Sequence, residues 1–198
     1  MYAKKIVAAT GNQGKLKEFR EILNDFEIIS IKDLNLSADA EENGETFKEN
    51  AYIKAMEIAK QTNLPVLSDD SGLCVDFLGG APGVHTARYA GNNATDEENI
   101  TKLLNALDGA LESERTARFV SVICVLLPNG HAVYGEGVCE GKITNAPSGK
   151  NGFGYDPVFY TEKFGKTFAE LSSDEKNLIS HRRSALDDVN KKLKDFFA

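Results

Sequence analysis

The chain is predicted to be an α/β protein, on three features of its 198 residues. A short β-forming run, Ile6-Val7-Ala8-Ala9, leads through a glycine-rich turn into a stretch with Leu16, Phe19, Ile22 and Leu23 on one helical face. Three capping boxes, Thr46 with Glu49, Thr95 with Glu98 and Ser172 with Glu175, each open a further helix. A strongly apolar run over 119–127 meets Pro128-Asn129-Gly130 and returns from His131 toward Ile143, the pattern of a β-hairpin.

With 41% hydrophobic and 27% charged residues, the chain is long enough for a sizeable core, as one domain over 1–198 or two closely joined lobes. No linker, repeat or low-complexity segment divides it. The formal charge of −7 argues against nucleic acid or an anionic membrane as partner, since both usually require a basic surplus. A small anionic ligand met by local Lys and Arg stays open. Cys74, Cys124 and Cys139 are odd in number, far apart and flanked by apolar residues, which reads as reduced core thiols in a cytoplasmic protein. The N-terminus is basic like a signal peptide, but the apolar run after it is too short, and no stretch approaches membrane-spanning length.

Along the chain, the first strand opens onto Thr10-Gly11-Asn12-Gln13-Gly14-Lys15. Strand, glycine-rich turn and helix start outline an anion site, in which backbone N–H groups and Lys15 suit a phosphate. The spacing is not that of a P-loop: two residues separate Gly11 from Gly14, and Leu16 stands where Ser or Thr would hold magnesium. An ordinary βα turn is the other reading. Residues 27–31 read as a second strand, and 39–45 as a polar, acidic connection. The helix opened by Thr46 buries Phe47, Ala51, Ala55 and Ile58, with Asn50 and Lys54 on or beside that stripe. An inward lysine either snorkels or meets an anion.

Residues 65–75 place Ser68-Asp69-Asp70-Ser71-Gly72 between two apolar runs, predicting strand, tight turn and strand. Two adjacent carboxylates are more charge than a turn needs, so the readings are a solvated acidic turn or a cation site. Mg²⁺ is the economical cation, because it takes one or two carboxylates and completes its shell with water and phosphate oxygens. Residues 79–91 form a shaped loop dense in turn formers, and the helix opened by Thr95 carries Ile100, Leu103, Leu104 and Leu107. His131 is expected to be exposed. Over 149–159, glycines and aromatics interleave, so Phe153 is either a stacking platform for a base or the filling of a self-packed loop. From Ser173 the chain is predicted to stay helical to near its end, burying Leu178, Ile179, Leu186, Val189 and Leu193. Lys176, His181 and Arg182 join the candidates through the company of the other motifs.

These motifs together resemble the inosine and xanthosine triphosphate pyrophosphatase family nearly end to end. The resemblance rests on residues 10–15, Glu42-Asn-Gly-Glu-Thr-Phe-Lys-Glu-Asn50, Ser68-Asp-Asp-Ser-Gly72, Gly80-Ala-Pro-Gly83 with Ala87-Arg-Tyr89, Gly152-Phe-Gly-Tyr-Asp-Pro157, and Lys176 with Ser180-His-Arg182. It implies an elongated, twisted mixed β-sheet with flanking helices, two lobes around a nucleotide cleft, and a homodimer. It implies hydrolysis of ITP, dITP and XTP to the monophosphate and pyrophosphate, which cleanses the nucleotide pool. By the same resemblance Thr10, Gly11, Asn12, Gln13, Gly14 and Lys15 hold the triphosphate, Glu42 and Asp70 bind Mg²⁺, and Asp70 is the proton acceptor. Ser71, Phe153, Gly154, Tyr155, Asp156, Lys176, His181 and Arg182 contact substrate. Glu41 and Asp69 stand one residue from the assigned acids.

The chemistry suits this inventory. Cleavage between the α and β phosphates needs a positioned water, a metal on phosphate oxygens and cations for the spreading charge, which Lys15, Lys54 and Lys176 supply. Lys54 is thereby counted with Asp70 as catalytic. No covalent nucleophile is needed. Refusal of ATP requires a donor facing purine O6, expected from His181, Arg182 or a backbone N–H beside them, and an acceptor facing N1–H, expected from Asp156. Two rivals stand beside this reading: a pyrophosphatase for modified pyrimidine or standard nucleotides, and a sensor that binds without hydrolysis. The Glu42 and Asp70 pair speaks against the sensor, because phosphate binding alone favours cations and N–H groups.

Overall fold

Seven strands, β1 (Lys5–Ala8), β2 (Glu27–Ser30), β3 (Val66–Val75), β4 (Thr116–Leu126), β5 (Ala132–Ile143), β6 (Phe159–Thr161) and β7 (Lys166–Thr167), form one sheet in the order β2-β1-β3-β4-β5-β6-β7. The helices are α1 (Gln13–Ile22), α2 (Phe47–Ala59), α3 (Asp96–Ala106), α4 (Ser173–Asn177) and α5 (His181–Phe197). This computed structural model describes residues 5–37 and 41–197. Residues 1–4 of the basic N-terminus and 39–40 of the acidic connection lie outside them. β1 is parallel to both β2 and β3, while β6 runs antiparallel to β5 and β7, so the sheet is mixed. The expected hairpin joins β4 and β5, closed by the Leu127 N–H on the His131 carbonyl at 2.9 Å.

The chain divides into two units: Met1–Asp70, Ser121–Gly137 and His181–Ala198 make one, Ser71–Val120 and Val138–Ser180 the other. In the first, strand alternation sends residues to opposite faces of the sheet. Ile6, Ala8, Leu67, Ile123 and Val125 meet Leu16 and Phe19 of α1, Leu23 just after it, and Ala185, Leu186, Val189 and Leu193 of α5. Val7, Val66, Val122, Cys124 and Leu126 meet Ala51, Ala55 and Ile58 of α2. Two glycines of β5 let α5 lie directly on the strand: a Cβ at Gly135 or Gly137 would run into the carbonyl of Ala185 or of His181.

The second unit is built around the rings of Phe119, Phe159 and Phe168, whose centroids lie 4.5 to 5.7 Å apart. Leu73, Val75, Ile100, Leu103 and Leu107 complete that core. Its buried cation, Arg115, donates to the carbonyls of Leu107, Ile143 and Thr144.

Two expectations are corrected. Residues 66–75 are one unbroken strand, so Ser68-Asp69-Asp70-Ser71-Gly72 is no turn. The acids are tolerated in mid-strand because each meets a cation (described below), whereas the sequence alone showed only their turn propensity. The C-terminal helix is likewise two helices, broken at residues 178–180, with Leu178 exposed. Ile179 packs into the second unit's core, and Leu186, Val189 and Leu193 into the first unit's. The break falls where the chain leaves the second unit, which ends at Ser180, and enters the first at His181. The three capping boxes are present as read. Phe47 and Leu104 are only partly buried.

Candidate active site

In the first unit β1 delivers Thr10-Gly11-Asn12 to the start of α1. Asn12 caps that helix: its Oδ1 accepts from the N–H groups of Gly14 at 2.9 Å and Lys15 at 3.2 Å, and Thr10 Oγ1 accepts from the Asn12 N–H. The N–H groups of Gly11 and Gln13 find no acceptor among the described residues, which leaves donors for an anion at the positive end of the helix.

Beside this loop, β3 presents its two acids to different cations. Lys15 Nζ lies 3.0 and 2.9 Å from the two oxygens of Asp69, and Arg182 Nε lies 3.3 Å from Oδ2. Arg182 Nη1 reaches Glu18 at 3.2 Å. Lys54 Nζ lies 2.7 Å from Asp70 Oδ1 and 3.3 Å from Glu42 Oε1, so the inward lysine of α2 bridges two carboxylates. Asp70 Oδ2 is buried with no hydrogen-bond partner among the described residues. A cavity of about 240 Å³ in this unit is lined by Ala9, Thr10, Gly11, Lys15, Glu42, Lys54, Glu57 and Asp69.

The electrostatics separate the two acids. Burial opposes ionisation of Asp69, but Lys15, Arg182 and Lys54 outweigh it and hold this carboxyl well below the usual range. At Asp70 burial prevails, assisted by Glu42 and Asp69 against Lys54, and its pKa is raised. Burial would lower Lys54, yet Asp70, Asp69 and Glu42 together raise it. Burial is the main cause at Asp70, and the neighbouring carboxylates Glu42 and Asp69 act on both groups, raising Asp70 and Lys54 alike.

An orphaned carboxylate oxygen among these acids suits a divalent cation. Among the described residues no group of three or more His, Cys, Asp or Glu side chains is placed to hold a metal. The site thus fits Mg²⁺, which needs only one or two carboxylates when phosphate oxygens complete its shell, better than an all-protein cage. The three cysteines are free, and burial pushes the Cys124 and Cys139 thiols up to about 12 and about 11, which disarms them as nucleophiles.

The second unit holds the aromatic loop. Asp156, almost fully buried, organises it: Oδ2 accepts from the Phe153 N–H at 3.0 Å and from Lys176 Nζ, while the Asp156 carbonyl accepts from the Ala169 N–H. Gly154 N–H donates to Asp96 at 2.6 Å, and the Tyr155 hydroxyl to the Thr86 carbonyl at 2.9 Å. Gly152, at φ +78°, passes so close to Asp156 that a Cβ would strike its carboxylate. Phe153 is 60% exposed, with Lys176 Nζ 5.1 Å from its ring centroid. The self-packed reading of this loop is therefore replaced by an anchored loop that projects its ring outward.

Within the first unit the structure thus brings residues 10–15 together with Glu42, Lys54, Asp70 and Arg182, with His181 buried at the start of α5. Within the second it brings Phe153 and Asp156 together with Lys176, and Ser71 continues β3 half-buried. Arg182 is tied to Asp69 and Glu18, and Asp156 to Lys176 and the Phe153 N–H of its own loop. Glu18 and Asp96 were missed. Glu18 was legible as an acid three residues after Lys15 on one helix face; Asp96 gave no signal beyond its place in the first turn of α3.

Residues 6–192 match the model of the Ham1 family. A dITP/XTP pyrophosphatase of Treponema denticola is 49% identical over 193 residues, covering 96% of this chain and 98% of the relative. One from Bacillus anthracis is 46% identical over 98% of each chain. The solved structure of the Staphylococcus aureus Ham1 protein superposes with a TM-score of 0.90 at 45% identity, covering 98% of this chain and all of that one.

Proposed function

Because the chain belongs to the Ham1 family, we infer that it is a nucleoside-triphosphate pyrophosphatase that hydrolyses dITP, ITP and XTP to the monophosphate and pyrophosphate. The observation that carries this reading is Asp70: one oxygen is fixed by Lys54, the other is buried without a hydrogen-bond partner among the described residues, and its neighbour Asp69 is held by Lys15 of the loop 10–15. Open N–H groups and Lys15 receive the phosphates, and Asp70 Oδ2 orients the attacking water and takes its proton. Water adds across the α–β anhydride, one P–O bond forms as another breaks, and pyrophosphate leaves with the negative charge.

Glu42 and Asp70 are the residues that would hold Mg²⁺, which when bound supplies charge neutralisation at the phosphate oxygens. Lys54 keeps both carboxylates in place. Phe153 stacks on the base, and Gly154, Tyr155, Asp156 and Lys176 shape and charge that loop. Ser71 and His181 are assigned to the substrate, and Arg182 to the phosphate side through Asp69. Three unpaired cysteines support a reducing, cytoplasmic setting, and among the described residues no helix is long and apolar enough to cross a membrane. A homodimer is the assembly that the family resemblance implies. The test is product analysis with Mg²⁺: dITP gives dIMP and pyrophosphate with steady turnover. Faster hydrolysis of a pyrimidine triphosphate, or binding of dITP without turnover, contradicts the reading.

A further inference from the structure

β1, β2 and β3 are parallel and share a register row, with Ala8 opposite both Ser30 and Leu67. Thr10, Lys32 and Asp69 each lie two residues beyond that row, at the carboxyl ends where α/β sheets bind ligands. Two of these three positions belong to the site described above; Lys32 does not. It opens the short 3₁₀ turn Lys32–Leu34, and its Cε lies 3.9 Å from the point a Cβ on Gly11 would occupy, with nothing else that near. Its ammonium makes no ion pair among the described residues. The neighbouring acid, Asp33, faces the Ser30 N–H and Arg20 instead.

The charges in the first unit say what such a cation is for. Lys15, Lys54 and Arg182 are each already paired, and they face Glu18, Glu42, Asp69 and Asp70, one carboxylate more than there are cations. A triphosphate adds more negative charge than one divalent ion removes, so an uncommitted cation at the loop is needed. We propose that Lys32 is a phosphate-binding residue, which reaches over Gly11 to hold the terminal phosphates of the substrate and then the departing pyrophosphate.

The proposal rests on the pyrophosphatase reading, and its test is separable from it. Inorganic pyrophosphate with Mg²⁺ is titrated calorimetrically into the wild-type protein, Lys32→Met and Lys32→Arg, which requires no turnover. Lys32→Met should bind pyrophosphate roughly three- to ten-fold more weakly, the range for one charged contact at an exposed site, and Lys32→Arg should recover most of the loss. In turnover, Lys32→Met should raise KM for dITP with kcat nearly unchanged and leave inhibition by dIMP as it was. Equal pyrophosphate affinity in wild type and Lys32→Met, or no pyrophosphate binding by the wild type, overturns the proposal. A failure to hydrolyse dITP with normal pyrophosphate binding would strike the activity and leave Lys32 in place.

Discussion

Lys54 Nζ lies 2.7 Å from one carboxylate oxygen of Asp70, while the other oxygen of that carboxylate is buried with no hydrogen-bond partner among the described residues. One side of the acid is structural and the other is open to chemistry. The asymmetry arises because α2 brings a lysine to β3 from one direction only, and Glu42 shares that same lysine.

Removing the lysine should therefore harm both fold and activity. Lys54→Met leaves Asp70 and Glu42 facing each other without a cation, and breaking a buried pair from one side costs about 3 to 5 kcal/mol. Part of this returns as pH falls and Asp70, whose pKa burial already raises, takes a proton. Urea unfolding at pH 7 and pH 5 checks it, and a variant as stable as wild type at both would contradict the pairing.

Asp69 should carry pH-dependent stability of the opposite origin. Its folded pKa is held below the unfolded value of about 3.9, so its contribution is complete above that value and disappears as pH falls toward the folded pKa. Asp69→Asn, which removes the counter-ion of Lys15 and one of the two of Arg182, should be much less stable than wild type at pH 7. The gap should narrow steadily below about pH 4. A gap independent of pH would mean that the cations do not stabilise the ionised form.

For the aromatic loop, Phe153→Ala should weaken nucleotide binding by about 1 to 3 kcal/mol, the range for one lost base–aromatic stack. Because the ring is 60% exposed, thermal stability should barely change. Since every base has a π face, good and poor substrates should lose equally. An unchanged KM for dITP would remove Phe153 from the substrate.

The fold was legible wherever local signals agreed with packing. The capping boxes at Thr46, Thr95 and Ser172 and the hairpin at 128–130 needed no tertiary information. Ser68-Asp69-Asp70-Ser71-Gly72 was misread as a turn because its strand conformation depends on Lys15, Lys54 and Arg182, which are distant in sequence and visible only once folded. The break after α4 depends in the same way on which core receives Ile179 and which receives Leu186. Lys54 was legible from its place on a buried stripe, whereas the division of labour between Asp69 and Asp70 was not, since adjacent carboxylates look alike until their partners are known.

The most direct test is steady-state hydrolysis of dITP with Mg²⁺ by Asp70→Asn, its fold verified by circular dichroism, beside Asp69→Asn and wild type. The carboxamide keeps the size and the approach of Lys54 but loses the charge and basicity of Oδ2. Turnover by Asp70→Asn should fall to background, with Asp69→Asn retaining more activity. Wild-type rates in Asp70→Asn, or the reverse order of the two variants, would contradict the assignment of Asp70 as the acid that faces the reaction.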